Sequence, residues 1–260
     1  MHLHILITND DGISAPGIKA LWEEFIGFCK VTVVAPDQER SACSQSITVH
    51  RPICIEKYRI PGIDVNDKDV VAYQLGGTPA DCIKIALKAI LDNGEKPDFI
   101  ISGINNGSNM GTEVFYSGTA SAAIEGVING IPSIAMSLAI NKLGNYASAA
   151  KVAKRVVIAL KDKGLPDNVF LNVNVPDVIE EELQGIEVTK LGFRYYENTL
   201  ERRYSPQNKP YFWLGGEIID EGNELDSDVV AIKNNKVSIT PVHLHFTYEK
   251  MLNEIKKWNI

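Results

Sequence analysis

The sequence predicts an α/β protein: a mostly parallel sheet covered by helices on both faces, followed by a β-rich C-terminal appendage that ends in a helix. Three observations carry this. Short apolar runs alternate with amphipathic helical patterns over the first 140 residues, which is the signature of strands joined by crossover helices. Polar, glycine-containing loops follow several of the strand-like runs. Beyond about residue 180 the helical periodicity weakens, and turn signals such as Gly215-Gly216 and Asn234-Asn235 separate short β-like runs. The expected division is an α/β core over residues 1–180 and an appendage over 181–260.

The elements follow in order. His4 to Thr8 is a short apolar strand. Pro16 to Phe28 reads as a helix, with proline near its first turn and Ile18, Leu21, Trp22 and Phe25 on one face. The β-branched run Val31 to Ala35 is a second buried strand. Thr78 to Leu91 is a helix that Thr78 caps, with Pro79 at the first helical position and Ile83, Ala86, Leu87, Ile90 and Leu91 as its stripe. Phe99 to Ser102 and Ser133 to Ser137 are strands, Thr119 to Val127 and Ala147 to Leu160 helices, and Val169 to Val175 a further strand. In the appendage, Tyr211 to Leu214, Val229 to Lys233 and Val237 to Thr240 read as β-like runs. Phe246 to Trp258 reads as a helix with Met251, Leu252, Ile255 and Trp258 on one side.

Composition excludes several classes. The 260 residues hold 26 Lys+Arg and 33 Asp+Glu, a formal charge of −7, which argues against a general nucleic-acid binder that must neutralise phosphates. No apolar run approaches the ~18 residues of a membrane span. The N-terminus lacks a basic segment and a small-residue cleavage site, so a cytoplasmic setting is expected. The four cysteines (Cys29, Cys43, Cys54, Cys82) form no C-x-x-C pair and are expected as reduced, packing thiols.

The chemistry gathers in loops after strand ends, where ligands of an open parallel sheet bind. Thr8-Asn9-Asp10-Asp11-Gly12 follows the first strand, and Pro36 to Ser41 the second. Ser102 to Asn109 follows the strand from Phe99, and Tyr116-Ser117-Gly118-Thr119 leads into a helix. Adjacent carboxylates at Asp10 and Asp11 repel, and desolvation deepens that cost. A divalent cation (Mg²⁺, Mn²⁺ or Ca²⁺) removes it. Helix capping is the alternative, and it accounts for one aspartate more easily than two. The Ser117–Thr119 turn is a candidate anion site at a helix N-terminus, and Gly76-Gly77-Thr78-Pro79 a second, each with plain capping as its alternative. A cation site beside an anion site suggests a phosphate ester held against a metal.

Other candidates carry less. His2-x-His4 and His243-x-His245 have strand spacing, but no cysteine or third histidine stands near either pair in sequence, so a zinc site is not expected. Arg40 could bind phosphate or pair with a carboxylate, and Arg194, Tyr195 and Tyr196 could stack on a base or simply pack. The chain lacks the dinucleotide glycine fingerprint, the P-loop lysine motif and a serine nucleophile elbow. Gly12 stands where an aspartyl phosphatase of the D-x-D-x-T type needs an acid. Two readings survive: metal-assisted hydrolysis of a phosphate ester, or a non-catalytic metal- or nucleotide-binding module.

The segments ILITNDDGISAPGI, VVAPDQERSACSQSIT, GGTPADCIKIAL, SGINNGSNMG and YSGTASAAIEG resemble the stationary-phase survival protein SurE family. The resemblance runs from residue 5 to about 140 and resumes at 169–176 and 237–241. It implies a Rossmann-like, doubly wound core with a C-terminal arm exchanged between subunits, giving homodimers or homotetramers. It implies a metal-dependent 5′-nucleotidase acting on nucleoside monophosphates, and some members also act on 3′-monophosphates or short polyphosphate. One divalent ion per subunit, Mg²⁺ or Mn²⁺, would be held by Asp10, Asp11, Ser41 and Asn105. Asn9, Ser117, Gly118 and Thr119 would line the phosphate pocket, and Asp10, Asp11 and Asn109 would serve catalysis. The implied partner is a small nucleotide, with no duplex nucleic acid and no membrane. Ser227-Asp228 departs mildly from the Thr-Asp of many members, and residues 191–227 match least.

Overall fold

The structure, a computed structural model, describes residues 3–63, 69–91, 94–140 and 143–260, without the side chains of 198 and 199. Its strands are β1 (His4–Thr8), β2 (Lys30–Pro36), β3 (Ile55–Lys57), β4 (Val70–Leu75), β5 (Phe99–Asn106), β6 (Ser133–Ala139), β7 (Val169–Pro176), β8 (Ile186–Val188), β9 (Tyr195–Tyr204), β10 (Pro210–Ile219) and β11 (Val237–His243). Its α-helices are α1 (Pro16–Phe25), α2 (Pro79–Ile85), α3 (Gly118–Ile128), α4 (Tyr146–Lys163), α5 (Asp228–Lys233) and α6 (Glu249–Ile255).

Nine strands form one sheet in the order β3-β4-β2-β1-β5-β6-β7-β11-β8. The six from β4 to β7 run parallel. β3 pairs antiparallel with β4, and β11 pairs antiparallel with β7. The chain lays β1, β2 and β4 outward on one side, then crosses back to β5 and continues outward on the other. The strand order therefore reverses between β1 and β5, and the crevice above such a reversal is where this architecture binds ligands. β1, β2, β5, β6 and β7 are buried along almost their whole length, as continuous apolar strands under two helical layers must be.

α1 and α4 pack together on one face, with Ile18, Leu21, Phe25, Val152 and Val156 against Ile5, Ile7 and Ile101. α2 and α3 pack on the other, where Cys82, Ile83 and Ala122 meet Leu6, Val34 and Ile100. Helix starts follow their expected chemistry. Pro16 opens α1. Thr78 and Asp81 form a reciprocal capping box at α2, so the N–H groups of both residues at the Gly76–Pro79 turn are already used in capping.

Several boundaries differ from the sequence expectation. α1 stops at Phe25, because Gly27 takes a positive φ of 76° and turns the chain toward β2. α2 ends at Ile85 and continues as one π-helical turn, Ala86–Ile90. β3, β4, β8 and β9 had no clear periodic signal. Val229 to Lys233, expected as a β-like run, lies in helix α5, capped by the Ser227 side chain, which accepts from Val230 N–H. An N-cap serine outweighs weak β propensity in so short a segment. Gly215-Gly216 do not turn but run inside β10; the hairpin turns instead at Ser205–Lys209.

The chain from residue 181 is itself divided. β8 and β11 join the main sheet. β9 and β10 form a separate two-stranded antiparallel hairpin, and nearly all of β10 is exposed. α6 buries none of its residues. No helix among the described residues is long and apolar enough to cross a membrane.

Candidate active site

β1 delivers Asp10 and Asp11 to the reversal point, and β5 delivers Asn105 beside them, since Thr8 and Ser102 are register partners in the parallel pair. Asp10 is buried, and its Oδ1 accepts the Thr119 hydroxyl at 2.6 Å. Burial pushes its carboxyl up to about 6; the Thr119 hydrogen bond opposes that and the Asp11 charge adds to it. Asp11 is half-buried, and its Oδ2 accepts the Asn106 N–H at 2.9 Å. Burial raises it too, against the Asn106 hydrogen bond and with the charge of Glu39. Arg40 gives its backbone N–H to the Asp10 carbonyl but directs its guanidinium to Asp37, at 3.1 Å.

Two neighbouring carboxylates held this way remain costly without a cation. The donors around them fit one. Ser41 is exposed and donates its proton to Glu39 at 2.7 Å, leaving its oxygen lone pairs available. Asn105 spends its amide nitrogen on the Gly107 carbonyl at 2.8 Å, which leaves its carbonyl oxygen as the group to offer. Asp, Asp, Ser and Asn make an all-oxygen set, suited to a hard divalent ion. Among the described residues, no group of three His, Cys, Asp or Glu side chains is arranged to hold a metal ion.

Against Asp10 stands the N-terminus of α3. Ser117 caps it, accepting the Ala120 N–H at 3.0 Å. Gly118 lies so close to Asp10 that a β-carbon there would come within 2.8 Å of the aspartate's Cβ and Oδ2. The dipole end of α3 therefore already faces one carboxylate, which favours its charged form, and any phosphoryl group at this end shares it with Asp10. Asn109 is buried. Its Nδ2 donates to Ser137 Oγ at 2.9 Å, its N–H to Asn174 Oδ1 at 2.8 Å, and its carbonyl accepts from Asn172 and Asn174 at 2.8 and 3.1 Å.

Asp10, Ser41, Asn105, Asn109 and Ser117 line one open cleft of about 1400 Å³. Asp11 sits against its rim through Asn106, and Gly118 and Thr119 reach it through Asp10. Asn9 is not brought to the cleft wall: it is fully buried, and its Nδ2 donates to the Gly12 carbonyl at 2.8 Å. The same cleft is lined by Phe115, Tyr116, Phe193, Arg194, Tyr195 and Tyr196. Arg194 is pinned there by Ser108 (2.7 Å) and Glu113 (2.8 Å), and the Tyr196 hydroxyl donates to Glu113 at 2.7 Å.

The histidine pairs lie elsewhere. His4 is buried and meets Thr32 Oγ1 at 2.9 Å; His2 lies outside the described residues. His243 and His245 stack edge to face at 4.4 Å on the exposed end of β11. The four cysteines are free thiols.

Sequence reasoning missed Glu113, Asp228, Asn172 and Asn174. Asp228 is fully buried and accepts the N–H groups of Gly111, Gly192 and Val229, tying the Asn109 loop to the root of the hairpin. Asn172 and Asn174 carried a signal: two amides at alternate positions of an otherwise apolar strand, VFLNVNVP. A fully buried amide needs partners.

Comparison with known proteins gives the relationship. A family model described as "Survival protein SurE" matches residues 5–198. The chain is 43% identical over 256 residues to a protein of Heliobacterium modesticaldum named "5′-nucleotidase SurE", covering 98% of this chain and 92% of that one. It is 45% identical over 260 residues to a protein of the same name from Carboxydothermus hydrogenoformans, covering 98% and 96%. The crystal structure of the Sure protein from Aquifex aeolicus superimposes with a TM-score of 0.83 at 38% identity, covering 97% and 98% of the two chains. The match spans both the reversal-point loops and most of the parallel sheet that carries them, and the chain belongs to the SurE survival protein family.

Proposed function

We propose that this protein is a metal-dependent 5′-nucleotidase, hydrolysing nucleoside 5′-monophosphates to nucleoside and inorganic phosphate. The observation that carries the reading is Asp10, packed against the N-terminus of α3 in one cleft, with Asp11 beside it bonded to Asn106 at the cleft's rim. Such a site places cation ligands and phosphate-binding groups side by side. The names of the relatives supply the substrate class.

Asp10, Asp11, Ser41 and Asn105 would hold one divalent ion, Mg²⁺ or Mn²⁺. When bound, the ion supplies positive charge against the phosphoryl oxygens and eases loss of a proton from water. Thr119 holds the Asp10 carboxylate in place through its hydroxyl. The Ser117–Thr119 turn and the Asn109 loop hold the phosphoryl group, so the reacting phosphorus is fixed before the ester bond breaks. The aromatic side chains lining the cleft beside Arg194 offer the nucleoside a partly apolar surface.

Two exposed features support assembly into a homodimer or homotetramer. The hairpin presents Tyr204, Tyr211, Phe212, Trp213 and Leu214 to solvent, and α6 presents Met251, Leu252 and Ile255. On β10 these side chains alternate between the two faces of the hairpin, and exposed apolar groups gathered in this way mark interaction sites. The unpaired thiols suit a reducing compartment such as the cytoplasm.

The test is phosphate release from a panel of nucleoside 5′- and 3′-monophosphates with Mg²⁺, Mn²⁺ or EDTA. Release is expected only with metal, and Asp10→Asn is expected to lose several kcal/mol of transition-state stabilisation, roughly 10³-fold in rate. Folded protein that binds nucleotide but releases no phosphate with any metal would replace the enzyme by a binding module.

A further inference from the structure

We infer that Asn174, with Asn172 beside it on β7, is a positioning residue for the reaction: the two amides set the height and orientation of Asn109 in the phosphate pocket. The inference rests on the reading of Asn109 as a group that holds phosphate.

Asn109 sits in the segment between β5 and α3, which contains two glycines at positive φ, Gly107 and Gly111. A loop of this kind has little local stiffness. What fixes it at Asn109 is side chain to backbone pairing across 65 residues of sequence. Asn174 makes both bonds of a cyclic pair, accepting the Asn109 N–H at 2.8 Å and donating to its carbonyl at 3.1 Å. Asn172 donates to the same carbonyl at 2.8 Å. Ser137, the register partner of Asn174 on β6, accepts from the Asn109 side chain at 2.9 Å. Asn172 and Asn174 are both completely buried, so water cannot replace the bonds they make.

The platform beneath is rigid. β7 is held on one side by β6 and on the other by β11, and the hydroxyls of Thr189, Ser238 and Thr240 form a buried chain next to the asparagines, at 2.6 to 2.7 Å. Three strands thus present a polar strip under a glycine-rich loop. A purely structural amide on β7 would be satisfied by its own sheet neighbours. These two instead spend their amide nitrogens on one loop residue, Asn109, which lines the cleft.

The experiment measures kcat, KM for a nucleoside 5′-monophosphate, the inhibition constant of inorganic phosphate, metal affinity by calorimetry and thermal unfolding, on the full chain. The variants are Asn174→Ala, Asn172→Ala, Asn109→Ala and, as a control on the polar strip, Thr240→Val. A misplacement of about 1 Å can cost on the order of 10²-fold. Asn174→Ala is therefore expected to lower kcat/KM by roughly 10- to 100-fold and to raise KM and the phosphate inhibition constant together, with metal affinity unchanged. Thr240→Val is expected to lower the unfolding temperature without moving KM. Should Asn174→Ala fail to fold, Asn172→Ala reads the same link, since it removes a bond to the same carbonyl.

Native KM and phosphate affinity in the folded asparagine variants, with Asn109→Ala impaired, would overturn the positioning role and leave the reading of Asn109 standing. Native phosphate affinity in Asn109→Ala would overturn both. An equal loss of stability in Asn174→Ala and Thr240→Val, with kinetics untouched in each, would reduce Asn174 to a packing residue.

Discussion

At the scale of the residue, the site is set by contacts too close to tolerate substitution. Gly118 has no side chain because Asp10 occupies that space. Gly118→Ala is expected to shift Asp10, to lower stability by about 1–3 kcal/mol through overpacking, and to weaken metal affinity, readable by calorimetry beside a thermal melt. His4 shows the opposite logic. Burial, followed by the charge of Lys30, lowers its pKa below 6.5, so the folded protein keeps it neutral while the unfolded chain takes up a proton. Its contribution is complete above pH 6.5 and declines as pH falls from 6.5 toward the folded value. Denaturant midpoints measured across that window should fall with acidification, and His4→Gln should flatten the slope. Asp10 and Asp11 were legible as residues, because two adjacent acids after a short apolar strand are conspicuous. The burial of Asn9 away from the cleft was not, since it depends on where Gly12 carries the chain.

At the scale of the element, local chemistry decides helix starts and tertiary contacts decide the rest. Thr78, Pro79 and Asp81 spell the start of α2 within four residues, and such caps are readable because the partners are near in sequence. The misreading of Val229 to Lys233 has the same origin: six residues are too few for a periodic signal, and the cap at Ser227 decides. The role of Asp228 lay beyond sequence reading. Its carboxylate accepts N–H groups from residues 117 and 36 positions away, and it joins α5, the Asn109 loop and the hairpin root. Asp228→Ala leaves those donors without their charged acceptor and is expected to destabilise the protein by about 2–4 kcal/mol, with a larger loss of activity than the stability change explains. Chemical denaturation and kinetics on the same preparation check this.

At the scale of the molecule, an apolar hairpin and an unburied terminal helix stand outside a well-packed α/β core. If they are assembly surfaces, Trp213→Asp should lower the mass seen by light scattering while leaving secondary structure unchanged. An unaltered mass would remove the hairpin from the interface. By itself the sequence determined the parallel core, the order of its main elements, the loops that carry acids, amides and glycines, and the family these motifs resemble. Those follow from periodicity, capping and turn chemistry, which act within a few residues. Only the tertiary structure decided that the chain reverses between β1 and β5, that α3 directs its N-terminus at Asp10, that β11 returns to the main sheet, and that Asn172 and Asn174 seat Asn109. These are pairings across tens of residues, chosen by which buried polar groups find partners once the core has closed.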